Sequence, residues 1–281
     1  MLLTTPTEIK TEICKYVSRR DLASLLRTCS SLYAVAGRVL YAHVKLNSVD
    51  RVEAFFFSPP ILRQGAVTVA QHHALKRSQW KGIKTLDIEV DIKTYLPLSA
   101  LPPSLIGDGT NPLRVERARL TYTGGAILVS RYLTRILRAF SPAKVGIHSP
   151  RGGDLGIEDL TATTGWKDVT NLTFNARRVV PSSFSGPRTI HPPFAQVKTV
   201  RLILSWSARR WPIYPDDIGF LLRLCPALEA IKIVVGFKGH QFDLEANLRQ
   251  GLEGKPATFF SVEVAAEEAD AWGDVKEDEV S

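Results

Sequence analysis

Residues 83–88 read Ile83-Lys84-Thr85-Leu86-Asp87-Ile88, with apolar side chains at the first, fourth and sixth places. The same spacing returns as Val115-x-x-Ala118-x-Leu120, Val169-x-x-Leu172-x-Phe174, Val197-x-x-Val200-x-Leu202 and Leu228-x-x-Ile231-x-Ile233. Shorter echoes stand at Val145-x-Ile147 and Phe260-x-Val262-x-Val264. Alternation over a few positions is strand chemistry, because successive side chains leave opposite faces of the backbone. With Leu86, Ala118, Val145, Leu172, Val200, Ile231 and Phe260 taken as equivalent points, the intervals are 32, 27, 27, 28, 31 and 29 residues. A near-constant interval of this size marks a repeat array whose units are each too small to bury their own apolar face. Helical spacing falls between the strands: at residues 126–140 (Ile127, Leu128, Tyr132, Leu133, Ile136, Leu137, Phe140), at 215–224, where Asp216-Asp217 suit the positive helix start, and at 243–252. Strand and helix in alternation predict a mixed α/β fold. Stacked units sharing one core, or an unrelated α/β domain with evenly spaced strands, both fit the spacing.

Units of this kind resemble leucine-rich repeats in degenerate form. Where that family carries asparagine or cysteine in the turn, this chain has Asp91, Pro150, Arg177, Ser205 and Gly236, so no asparagine ladder runs through the array. The resemblance implies an irregular leucine-rich-repeat-like α/β solenoid over residues 47–266 that binds a target protein.

Upstream, three short helices are expected. Thr5-Pro6-Thr7-Glu8 reads as a helix start, with Thr5 as cap and Pro6 in the first turn, followed by an apolar stripe of Ile9, Ile13 and Val17. Ser18-Arg19-Arg20-Asp21 supplies a second capping box before Leu22, Leu25, Leu26 and Cys29. A third helix, capped at Ser30 or Ser31, carries Leu32, Val35, Ala36, Val39 and Leu40. A further short helix over residues 48–57 ends in Phe55-Phe56-Phe57 before Pro59-Pro60. Three amphipathic helices in so few residues need another surface for their apolar faces, either the rest of the chain or a partner.

The order Pro6-x-Glu8-Ile9, Ile13, Val17, Asp21-Leu22, Leu25, Thr28-Cys29, Leu32 and Leu40-Tyr41 resembles an F-box, particularly those of fungal F-box proteins. The resemblance implies a three-helix module over residues 1–46 that docks on a Skp-type adaptor and, through it, on a cullin. The adaptor-facing residues it implies are Pro6, Ile9, Ile13, Leu22, Leu25 and Cys29. Three such helices followed by such repeats are the layout of the F-box leucine-rich-repeat family, whose members recruit substrates to Skp–cullin–F-box ubiquitin ligases and are not themselves enzymes.

Composition agrees with a globular chain: 281 residues, 44% hydrophobic and 23% charged. No stretch approaches the roughly 18–20 apolar residues that cross a bilayer, which disfavours a membrane protein. Cys14, Cys29 and Cys225 are odd in number and read as free thiols in a reducing compartment, cytoplasm or nucleus. The net charge of +8 divides unevenly: residues 262–281 carry −7, leaving +15 on residues 1–261. An acidic disordered tail over residues 267–281 follows from that composition. A basic anion- or nucleic-acid-binding protein is one alternative function, although no nucleic-acid module is recognisable. An F-box scaffold acting outside a ligase is another.

The six histidines make no metal-ligand spacing, His72-His73 reads as a loop pair, and no phosphate-cradling, dinucleotide or nucleophile-elbow motif occurs, so neither cofactor nor catalysis is expected. Two basic stretches are candidate target contacts: Arg177-Arg178, and Trp206 with Arg209, Arg210 and Trp211, residue types enriched in binding hot spots. Packing of the two indoles into the core with solvated arginines is the competing reading. Arginine forks at one edge would favour an acidic or phosphorylated segment.

Overall fold

The computed structural model describes residues 5–28, 30–57, 69–90, 113–122, 133–134, 136–148, 165–176, 194–204, 215–235, 241–249, 252 and 254–265. The chain is a mixed α/β protein built on one eight-stranded parallel sheet. Helices α1 (Thr7–Lys15), α2 (Arg19–Thr28) and α3 (Ser30–Leu40) precede strand β1 (His43–Leu46). Helices α4 (Val49–Phe57) and α5 (Val69–Trp80) lead to β2 (Thr85–Val90), followed by β3 (Leu113–Tyr122), β4 (Phe140–His148), β5 (Asn171–Ala176) and β6 (Thr199–Leu204). Helix α6 (Pro215–Leu224), β7 (Ala230–Val235), α7 (Gln241–Arg249) and β8 (Phe260–Val264) complete the order.

Strand order in the sheet is chain order, β1 to β8, every neighbour parallel. The seven positions equated from sequence lie opposite one another: Leu86 pairs with Ala118, Ala118 with Val145, Val145 with Leu172, Leu172 with Val200, Val200 with Ile231 and Ile231 with Phe260. All seven are buried. They form an apolar column along one face, with the second column, from Ile88 through Leu120, Ile147, Phe174, Leu202 and Ile233 to Val262, beside it. Side chains from α4, α6 and α7 join the same cluster, so the core lies between helices and this face.

Strands β2, β5, β6 and β7 are entered by a similar turn. Ile83, Val169, Val197 and Leu228 donate their N–H to the carbonyls of Trp80, Trp166, Phe194 and Cys225 at 3.0–3.1 Å. One carbonyl then accepts two N–H groups of the next unit: Ala42 from Lys84 and Thr85, Lys84 from Glu116 and Arg117, Thr170 from Lys198 and Thr199, Lys198 from Glu229 and Ala230. In these four units the buried apolar residue three places before the first column position, Ile83, Val169, Val197 or Leu228, closes the turn. Aromatic rings join units as well, with Trp166 edge-on to Phe194 at 4.8 Å and Trp80 against Phe140 at 5.6 Å. Gly165 enters its turn at φ 105°, where a Cβ would lie 3.0 Å from Leu137 Cβ, so a side chain there is both strained and crowded.

Pro142 sits inside β4 at a place that spares the ladder. It pairs with Val115 on β3, while pairing with β5 starts two residues later, at Lys144. The missing N–H is thus not needed on the β5 side.

Several expectations change. Thr5 does not occupy the cap position of α1, which falls one residue later at Pro6, and the Lys10 N–H reaches the Pro6 carbonyl at 3.1 Å. Of the second capping box the serine half forms, since Ser18 Oγ accepts the Asp21 N–H at 3.2 Å, while the Asp21 carboxylate accepts the Ser18 hydroxyl at 2.7 Å. Phe140, expected to close a helix, begins β4 and is fully buried; residues 133–134 and 136–139 are helical, and 126–132 lie outside the described residues. His72 and His73 stand in helix α5 rather than in a loop. Strand β1 lies upstream of the expected repeats, yet Tyr41-x-x-Val44-x-Leu46 carries their spacing, and Val44 pairs with Leu86.

Candidate partner-binding face of the first helix

Helix α1 divides its apolar residues between two faces. Lys10 and Cys14 are buried and Val17 is half-buried against α2 and α3, where Cys14, Leu22, Val35 and Ala36 close a small core of their own. Burial pushes the Cys14 thiol above its ordinary range. Ile9, Ile13 and Tyr16 follow the i, i+4, i+7 spacing of one helix face, and they are 52%, 49% and 87% exposed. Val17 therefore leaves the stripe expected from sequence, and Tyr16 takes its place. Three large apolar side chains on one exposed face, lined also by Glu8, Thr11 and Glu12, are the only large exposed hydrophobics among the described residues.

The six residues implied to face an adaptor are distributed as follows. Pro6, Ile9 and Ile13 are exposed along α1. Leu22 is 2% exposed inside the three-helix core, and Leu25 is half-buried against it, so both support the module from within. Cys29 lies outside the described residues. So do Arg177, Arg178, Trp206, Arg209, Arg210 and Trp211. Tyr16 is the member of the face that motif reading passed over; its place seven residues after Ile9 was the available signal.

The three helices are anchored to the sheet rather than tethered to it. Arg19 Nη2 donates to the His43 carbonyl at 3.4 Å, and His43 Nδ1 stands 3.0 Å from Thr85 Oγ1. Gly82, in the turn before β2, packs on α3, where a Cβ would meet Arg38 Cα at 2.8 Å. The exposed face of α1 is thus held in a set orientation to the eight strands. Among the described residues no helix is long and apolar enough to cross a membrane, and no group of three or more His, Cys, Asp or Glu is placed to hold a metal ion. Comparison of the chain with protein-family models and with curated proteins gave no match.

Proposed function

We propose that this chain is a substrate-recruiting F-box subunit of a Skp–cullin–F-box ubiquitin ligase. The observation that carries the reading is the exposed Ile9–Ile13–Tyr16 face on the first of three helices that otherwise close their own core. An apolar face left open on a module with a finished core is what an obligate partner would cover. The order of the F-box-like residues names the partner as a Skp-type adaptor, and the sheet in chain order supports a receptor of repeated units. The chain does no chemistry in this reading. It holds a target near the ubiquitin-charged enzyme and raises its effective concentration there, in the cytoplasm or the nucleus.

The test is co-purification with a Skp-type adaptor, comparing the wild type with I9D/I13D. Both isoleucines are about half exposed, so the charges leave the three-helix core intact, which far-UV circular dichroism checks. Loss of adaptor binding by about 30-fold or more is expected, the range of a hot-spot truncation of at least 2 kcal/mol. A folded wild type that captures no adaptor removes the reading. Cullin in the isolated complex separates a ligase subunit from an F-box scaffold.

A further inference from the structure

The apolar face of α1 runs out into cations. Tyr16 closes it, and Arg19 and Arg20 follow three and four residues later as the first residues of α2, both exposed. Three residues of chain span at most about 11 Å, so the two arginines border the face.

Contacts gather three more cations at the same corner. Arg19 Nη2 donates to the His43 carbonyl at 3.4 Å, and the neighbouring Ala42 carbonyl accepts the Lys84 N–H at 2.7 Å. Gly82 packs against the backbone of Arg38, which brings Lys81 there as well. The start of α2, the last turn of α3 and the turn before β2 thus converge on the beginning of β1. Arg19, Arg20, Arg38, Lys81 and Lys84 are all exposed. Among the described residues the side chains of Arg20, Arg38, Lys81 and Lys84 hold no hydrogen bond or ion pair. Two acids stand nearby: Asp21, whose carboxylate accepts the Ser18 hydroxyl, and Glu116, whose N–H donates to the Lys84 carbonyl at 2.8 Å.

Helix electrostatics accounts for part of this charge. Arg38 lies in the last turn of α3 and Lys81 just past α5, where a cation offsets the negative helix end. Arg19 and Arg20 lie at the positive end of α2, where the same physics disfavours them. In return Arg19 gains its one bond to His43, and Arg20 gains no partner among the described residues.

We propose that the partner covering the Ile9–Ile13–Tyr16 face carries an acidic patch beside its apolar one, and that this patch docks on the Arg19–Arg20 corner. The proposal rests on the ligase reading above, in which that partner is the Skp-type adaptor. Glu8 and Glu12 line the face along the helix, Glu12 bound to Lys15 at 2.6 Å. Acids along the helix and cations past its end make the face asymmetric in charge, so the partner docks in one orientation. Exposed charges at the border of an interface act chiefly on the association rate and its salt dependence, whereas the buried centre sets the dissociation rate.

Surface plasmon resonance of the full chain over immobilised adaptor, at rising salt, tests the proposal. R20Q/K81Q/K84Q removes three exposed side chains without partners, so the fold is unaffected, which circular dichroism checks. It should associate about tenfold more slowly than the wild type at low salt, with a flatter salt dependence and little change in dissociation. K167Q/K198Q/K255Q removes the same charge beside strands β5 to β8 and should associate as the wild type does. The proposal is overturned by wild-type association in R20Q/K81Q/K84Q, by an equal loss in K167Q/K198Q/K255Q, or by adaptor binding indifferent to salt; the ligase reading survives each of these. A folded wild type that captures no adaptor overturns both.

Discussion

At the scale of single residues, Lys76 departs furthest from its ordinary chemistry among the described cations. Burial on helix α5 lowers its pKa from 10.5 to about 8, and its ammonium lies 5.9 Å from the centre of the Trp80 ring, a cation–π contact that compensates part of the desolvation. Below about pH 8 folded and unfolded chains both carry the proton, and the native state bears the full cost of desolvating it. Between about 8 and 10.5 the unfolded chain binds the extra proton, so this group's contribution to stability rises with pH. Urea midpoints of the wild type and K76M, measured at intervals from pH 7 to 10.5, should therefore shift relative to each other, with the wild type gaining as pH rises. A constant difference would mean that Lys76 keeps its ordinary pKa. Cys225 follows the same logic with opposite charge: burial pushes its thiol up to about 12, so it packs as an apolar group beside Leu221 and Leu228 instead of reacting.

Among the elements, Gly82 decides how α3 meets the sheet. Its φ is not in the left-handed region, so conformational freedom does not explain the residue; space does, because an added Cβ would lie 2.8 Å from Arg38 Cα and 3.0 Å from Arg38 Cβ. G82A should lower stability by about 1–3 kcal/mol, the usual cost of overpacking against backbone. Chemical denaturation checks this, and an unchanged midpoint would show that α3 gives way freely. Legibility in the sequence follows the same division between period and contact. Strands β2 to β8 were readable because their apolar residues recur at fixed spacing, the helix over residues 215–224 because Asp216-Asp217 mark its start, and that over 48–57 because it ends in Phe55-Phe56-Phe57 before Pro59-Pro60. Strand β1 carried the same spacing but stands 42 residues before Leu86, an interval lengthened by two helices. Helix α5 was missed because Val69-Ala70-Gln71-His72-His73 has no apolar stripe. The candidate face on α1 was half legible: Ile9 and Ile13 were found, whereas which side of the helix packs on α3 is a contact between distant residues that no local spacing encodes.

For the whole molecule, the three helices and the sheet are one body because β1 belongs to both. Its four residues pair with β2 from His43–Thr85 to Leu46–Ile88, and the Ala42 carbonyl accepts the N–H groups of both Lys84 and Thr85. A chain beginning at residue 47 would leave that edge of β2 open, along with the surface of the Gly82 turn. It should aggregate, as exposed sheet edges do, which size-exclusion chromatography checks. A monomeric 47–281 chain with native thermal stability would show that the helices are merely appended.

The agreement between strand order and chain order has one more consequence. No described strand pairs with any but its neighbours in the chain, so position along the polypeptide maps onto position across the sheet almost like distance on a ruler. Adding or losing one unit in the middle would widen the sheet by a single strand spacing, ~4.8 Å, and leave the registers on either side as they are. The distance between two residues of one register row, such as Leu86 and Ile231, is therefore a count of units, and a lineage could change it only in whole steps.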